Sequence, residues 1–109
     1  MIWGVVYSAQ ARQDLRNIYQ YIAHELCVPE TASTQTRRIM QKIRSLDELP
    51  LRFPICEIEP WHERGLRFVS IDKYLVFYLP VEADKIVNIV RIMYGGRDIR
   101  RQLSETVDF

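Results

Sequence analysis

Apolar positions along this chain follow two different periods. In the N-terminal half they recur every three or four residues. Leu15, Ile18, Tyr19, Ile22 and Leu26 make one stripe, with Arg12, Asp14, Arg16 and Asn17 on the other side; Ala32, Thr36, Ile39, Ile43 and Leu46 make a second, with Arg37, Arg38, Lys42 and Arg44 elsewhere on that surface. This spacing predicts two amphipathic helices. Ser8 is placed to cap the first, because its hydroxyl accepts from a free helical N–H. Cys27-Val28-Pro29 ends that helix, since proline disfavours helical geometry in the residue before it. The second helix is predicted from about Glu30 to Leu49, where Leu49-Pro50 closes it.

In the C-terminal third the runs are short and rich in β-branched and aromatic residues. Leu66 to Ile71, Lys73 to Leu79 and Ile86 to Tyr94 have strand length, and short polar connections such as Glu82-Ala83-Asp84-Lys85 predict an antiparallel meander. Ile2 to Tyr7 is a further strand ahead of Ser8, and Leu51 to Glu63, with Pro54 and Pro60, is an irregular connection. The helices are expected to pair as an antiparallel hairpin and to bury their stripes on one face of an antiparallel sheet. The result is an α+β sandwich of two layers. Tyr74, Phe77 and Tyr78 alternate across the middle strand, with Phe77 expected in the core. The face without helices is then expected to stay open, partly aromatic and partly cationic, and an uncovered patch of that kind marks an interaction surface. Gly95-Gly96 after the last strand predicts a tight exit, and Asp98 reads as the cap of a short C-terminal helix.

Composition adds few constraints. A length of 109 residues with 48% hydrophobic and 27% charged content is that of one ordinary globular domain, residues 1–109. No apolar run approaches the roughly 20 residues that span a bilayer, and the N-terminus lacks a secretory pattern, so a cytoplasmic protein with no membrane partner is expected. Cys27 and Cys56 lack paired spacing and read as free thiols. His24 reads as a surface residue. His62, near Cys56, Glu57 and Glu59, matches no recurrent ligand pattern, so neither a metal nor a cofactor is expected. A net charge of +1 argues against binding nucleic acid through an all-over positive field. Arg91, Arg97, Arg100 and Arg101 nevertheless crowd the C-terminal region, opposite in sign to Glu57, Glu59 and Glu63. Arg67 either projects to a ligand or pairs with a surface carboxylate. Arg91, between Val90 and Ile92, suits an internal ion pair with Asp98 or another acid.

The order of Tyr7-Ser8, Asp14-Leu15-x-x-Ile18-x-x-Tyr21-Ile22, Leu46-x-x-Leu49-Pro50, Gly65-Leu66-Arg67, Tyr74-Leu75-Val76-Phe77-Tyr78 and Val90-Arg91-Ile92-x-Tyr94-Gly95-x-Arg97-Asp98 resembles the RelE/ParE family of toxins from bacterial type II toxin–antitoxin systems, over nearly the whole chain. The resemblance implies a toxin neutralised by a small antitoxin with a disordered, often acidic tail. Members of that family either cleave messenger RNA on the ribosome or, in the ParE branch associated with plasmid stabilization, poison DNA gyrase. Ribonuclease members commonly carry an arginine where this chain has Leu75, and some carry a histidine where it has Met93. RNA cleavage needs a proton acceptor and cations for the transition state, and Tyr94 or His62 would have to act as base beside Arg67, Arg91 and Arg97. The resemblance is therefore to the ParE-like branch, a gyrase inhibitor that performs no bond chemistry. Its expected target-binding residues are Arg67, Arg91, Tyr94, Arg97, Arg100 and Arg101, with the segment to Val107 and Phe109. The alternatives are a ribosome-dependent mRNA endonuclease and a non-toxic antitoxin-binding module.

Overall fold

The computed structural model describes residues 2–96 and 98–106. Strand β1 (Gly4–Tyr7) leads into α1 (Ala9–Gln20), which widens into a π turn (Tyr21–Glu25) before α2 (Pro29–Arg44). Two 3-10 turns, Ser45–Asp47 and Pro50–Arg52, and a one-turn helix α3 (Trp61–Arg64) lead to β2 (Arg67–Ile71), β3 (Tyr74–Val81) and β4 (Ile86–Tyr94), and then α4 (Ile99–Ser104). Both predicted caps form: Ser8 Oγ accepts from the Ala11 amide at 2.9 Å, and Asp98 accepts from the Arg101 amide at 3.2 Å.

The meander is antiparallel as expected, but the sheet as a whole is mixed. Its strand order is β1-β4-β3-β2, and β1 runs parallel to β4, Gly4 opposite Ile86 and Tyr7 opposite Ile89. A parallel neighbour requires a long crossover, and here the helical hairpin and the first two strands of the meander supply it. The hairpin packs on one face. Ile39, Ile43 and Leu46 of the second stripe, with Ala11, meet Val76, Tyr78, Val87, Ile89 and Ile92.

Three expectations are corrected. Helix α2 ends at Arg44, and the chain to Leu46 continues as a 3-10 turn. Leu26 is 54% exposed, because the π turn closes with an i to i+5 bond from the Leu26 amide to the Tyr21 carbonyl. That extra residue rotates the downstream side chains by about 100° off the α1 stripe. The second sheet face is not open. A bulge sets both Val90 and Arg91 opposite Phe77, and Phe77, Val90 and Met93 pack there under Trp61, Cys56 and Leu103 in a second core. Trp61 Nε1 donates to the Leu103 carbonyl, 3.3 Å away, joining α3 to α4 over that face. The connection expected to be irregular thus covers the surface, and each large side chain it buries contributes roughly 1.5–3 kcal/mol.

The outer edge of β2 is also covered. The Cys56 amide donates to the Leu66 carbonyl, 2.7 Å, and the Phe68 amide to the Pro54 carbonyl, 3.2 Å. Buried Tyr78 donates its hydroxyl to the Pro50 carbonyl at 2.6 Å, and burial pushes its phenol up to about 12. Phenylalanine at Tyr78 is expected to leave that carbonyl without a donor and to cost about 1–2 kcal/mol in urea unfolding.

The β2–β3 turn is held against α2 by Arg38, whose guanidinium donates to both Asp72 oxygens at 2.8 and 2.9 Å, while Gln35 adds a third bond at 2.9 Å. These hydrogen bonds, Arg38 foremost, lower the Asp72 carboxyl to about 2. A depressed carboxyl stabilises the fold above its unfolded value near 3.9 and loses that contribution as pH falls through the folded value. Urea midpoints of the wild type are therefore expected to fall more steeply between about pH 4 and pH 2 than those of Arg38→Met.

Candidate functional site

Strand β1 runs out at Tyr7, level with Ile89, so among the described residues the stretch of β4 from Val90 to Tyr94 has no strand on that side. Buried backbone groups need partners, and α1 provides them. Ser8 Oγ donates to the Val90 carbonyl at 2.8 Å, and the Ile92 amide donates to Asp14 Oδ2 at 2.9 Å. The same carboxylate takes a fork from Arg91, Nε to Oδ2 at 2.7 Å and Nη2 to Oδ1 at 2.9 Å, with both side chains about one eighth exposed, at 13% and 12%. The remaining guanidinium nitrogen, Nη1, donates to the Gln102 carbonyl and to Thr106 Oγ1 at the end of α4. Arg91 is thus an internal ion-pair residue, as its apolar neighbours imply, but its partner is Asp14 and not Asp98. Helical spacing alone puts Asp14 on the polar side of α1. The signal for its burial is its place four residues before Ile18 on the apolar stripe, where a carboxylate has to be matched.

Beside this pair a groove of about 780 Å³ opens between the π turn and the end of β4. Tyr21, Leu26 and Val28, all substantially exposed, form one wall, and Lys73, Tyr74 and Tyr94 the other. Tyr74 and Tyr94 pack edge to face with ring centroids 5.7 Å apart. Burial, followed by the neighbouring Tyr94, raises the Tyr74 phenol above its ordinary value. The glycine pair keeps this wall in place. The Gly95 amide donates to the Lys73 carbonyl at 2.8 Å, and a Cβ at Gly96 would lie 2.6 Å from the Tyr94 ring. Among the described residues the groove's charged members are Asp14, Lys73 and Arg91, and the first and last cancel. The arrangement suits an aromatic and aliphatic ligand face more than an anion.

The expected site residues do not converge. Tyr94 is on the groove wall and Arg91 in its floor. Arg67 begins β2, opposite Tyr78, while Tyr94 lies opposite Tyr74; four rungs and two strands separate them, on the order of 15 Å. Arg67 is half-buried and donates to the Phe53 carbonyl, holding the loop that Tyr78 also holds. Arg100 and Arg101 are exposed on α4, with Arg101 Nε 3.3 Å from Glu105. Arg97, Val107 and Phe109 lie outside the described residues. His62 is exposed on α3, its ring nitrogens 3.9 Å from carboxylates of Glu57 and Glu59. No group of three or more metal-ligating side chains occurs among the described residues, and no described helix is long and apolar enough to cross a membrane. Leu75 and Met93 are direct cross-strand partners, both packed in the second core under α4.

Removing one partner of the Asp14 and Arg91 pair leaves a nearly buried charge unmatched. Asp14→Asn and Arg91→Met are each expected to cost about 3 kcal/mol in urea unfolding. The apolar double variant Asp14→Leu with Arg91→Met is expected to lose less than the sum of the two single losses.

In overall structure the chain is similar to a toxin–antitoxin component of the chromosomal ParDE system from P. aeruginosa, with a TM-score of 0.72 and 18% identity, over 85% of this chain and 96% of that one. It is also similar to a chain of the RelBE2 toxin–antitoxin complex from Mycobacterium tuberculosis, TM-score 0.61 and 18% identity over 86% and 99% of the two chains. A mutant of the E. coli toxin RelE in its free state gives a TM-score of 0.62 at 11% identity, over 94% and 93%. At such identities the likeness is one of fold. No curated protein sequence matches the chain significantly. The family profile described as ParE toxin of type II toxin-antitoxin system, parDE, matches residues 5–99. That match runs from β1 through the groove to the start of α4, and the chain belongs to the ParE toxin family of type II toxin–antitoxin systems.

Proposed function

We propose that this toxin acts by binding DNA gyrase and stabilising its cleaved-DNA complex, without bond chemistry of its own, and that a cognate antitoxin neutralises it. The observation that carries this reading is the Leu75 and Met93 pair. By resemblance, these are positions at which ribonuclease members of the wider family place an arginine and a histidine. Here they are cross-strand neighbours, apolar and packed under Leu103. Arg91 adds support, because a guanidinium committed to Asp14 and to the end of α4 has little left for a phosphate, and arginine does not serve as a base. The groove offers Tyr21, Tyr74 and Tyr94 instead, and aromatic residues dominate the centres of protein interfaces.

The test is ATP-dependent supercoiling of relaxed plasmid by purified gyrase with the folded protein titrated in. Loss of supercoiling with accumulation of linear DNA is expected. The double variant Arg100→Glu with Arg101→Glu, on the exposed face of α4, is expected to need about tenfold more protein for the same inhibition. No effect on gyrase together with mRNA cut at codon boundaries in induced cells would replace this reading with ribosome-dependent cleavage. Harmless overexpression without antitoxin would replace it with a non-toxic binding module.

A further inference from the structure

The turn between the end of the helical hairpin and the loop beneath β2 is strained at its most exposed point. Leu49 has φ 49° and ψ 52°, in the left-handed region, where a Cβ crowds the following carbonyl. It also precedes Pro50, and the residue before a proline is normally extended. Glycine, asparagine and aspartate take the left-handed conformation at small cost, whereas a leucine has to be held there by its surroundings. The holding bonds are in place. Buried Tyr78 fixes the Pro50 carbonyl from below, at 2.6 Å. The Arg52 amide donates to the Leu49 carbonyl at 3.2 Å and Arg52 Nη1 to the Glu48 carbonyl at 3.3 Å, while Arg67 holds the Phe53 carbonyl.

This rigid turn carries two leucines outward. Leu49 is 71% exposed, more than any other large apolar side chain among the described residues, and Leu51 is exposed beside it; Pro50, between them, is buried. Neither leucine packs on either core. A single exposed leucine calls for no explanation. A leucine held outward in a conformation that disfavours it does, because strain of this kind persists where a side chain is presented to something else. The flanking residues Glu48 and Arg52 are both exposed, and the Arg52 guanidinium lies over the Phe53 ring, 4.7 Å from its centroid. The result is an apolar knuckle with one charge of each sign at its rim.

We propose that Leu49 and Leu51 are an apolar anchor which this toxin inserts into a hydrophobic pocket of its protein target, gyrase in the reading above, on which the proposal rests to that extent. An apolar centre with a polar rim is the anatomy of a protein interface. A nucleic acid asks instead for cations and flat stacking faces, and an anionic membrane for a basic surface. A second copy of this chain is a poor occupant, since two knuckles meeting would bury only their leucines, far short of the roughly 800 Å² per partner of a stable interface. The knuckle stands above Tyr78, four residues along β3 from Tyr74 in the groove wall, about 13 Å. Its loss is therefore readable apart from that of the groove.

The test is Leu49→Asn in the full chain, because asparagine accepts the left-handed backbone and removes the apolar anchor. The thermal midpoint of the purified variant is expected to rise by roughly 2–5 °C. Growth arrest on induction without antitoxin, and inhibition of gyrase supercoiling, are each expected to need about tenfold more protein. Leu49→Met, which returns an apolar side chain to the same backbone, is expected to restore both to within about threefold. Arrest by Leu49→Asn equal to that of the wild type at matched protein level would overturn the proposal. So would a lowered midpoint, since Leu49 would then serve the fold. Lost neutralisation by the antitoxin with arrest intact would give the knuckle to the antitoxin and overturn it as well. A wild type that arrests growth without touching gyrase strikes the gyrase reading alone, and the asparagine and methionine variants in growing cells still decide the knuckle.

Discussion

A single carboxylate stands in for a missing strand. Where β1 ends, the backbone of β4 continues into the interior with one flank bare, and Asp14 supplies from a helix what a neighbouring strand would have supplied from its main chain. The same two oxygens hold the Arg91 fork. A nearly buried ion pair is costly to desolvate, and it is tolerated where the remaining hydrogen-bonding capacity is filled. Here it is filled on both sides, by the Ile92 amide on the acid and by Gln102 and Thr106 on the guanidinium. The pair therefore sets the position of α1 on one layer and of α4 on the other through one side chain of the sheet between them. The groove beside it inherits its floor, and a nearly neutral one, from this arrangement.

Charge is segregated as a consequence. With Arg91 neutralised inside, Arg38 matched to Asp72 and Arg67 bonded to a loop carbonyl, three of the cations that look available in the sequence are occupied with holding elements together. Among the described residues, Arg12, Arg16, Arg37 and Arg44 on the helical hairpin and Arg100 on α4 are exposed and have no carboxylate within 4 Å. One protein with two separate basic surfaces and an aromatic groove has room for more than one macromolecular contact.

Much of this was legible in the sequence. The α2 stripe from Ala32 to Leu46, the Ser8 and Asp98 caps and the antiparallel meander arise from spacing and side-chain chemistry that act within a few residues. The features that were not legible depend on long-range geometry. The parallel pairing of β1 with β4 leaves no local trace. The π turn at Tyr21 has no distinctive composition, and it alone turns Leu26 from a core residue into a groove wall. The second core was concealed because Cys56, Trp61 and Leu103 come from segments with no periodicity, while the bulge at Val90 breaks the alternation by which strand faces are counted. The candidate site shared this fate. Tyr94 and Arg91 could be named, but their unlike roles turn on Asp14, which is separated from Arg91 by 77 positions.

The pairing of β1 with β4 has a kinetic consequence. Residues 4–7 are made long before residues 86–89, their strand partners among the described residues, and contacts of such separation carry a loop-closure cost that slows folding. During synthesis the helical hairpin emerges with its apolar stripes unmatched, since the strands that cover them are made later. The sheet, the Asp14 lock and the groove can all be completed only after β4 has left the ribosome. Until β4 is made the groove lacks one of its walls, and a truncated product without β4 would leave the apolar stripes of the hairpin uncovered and open to proteolysis.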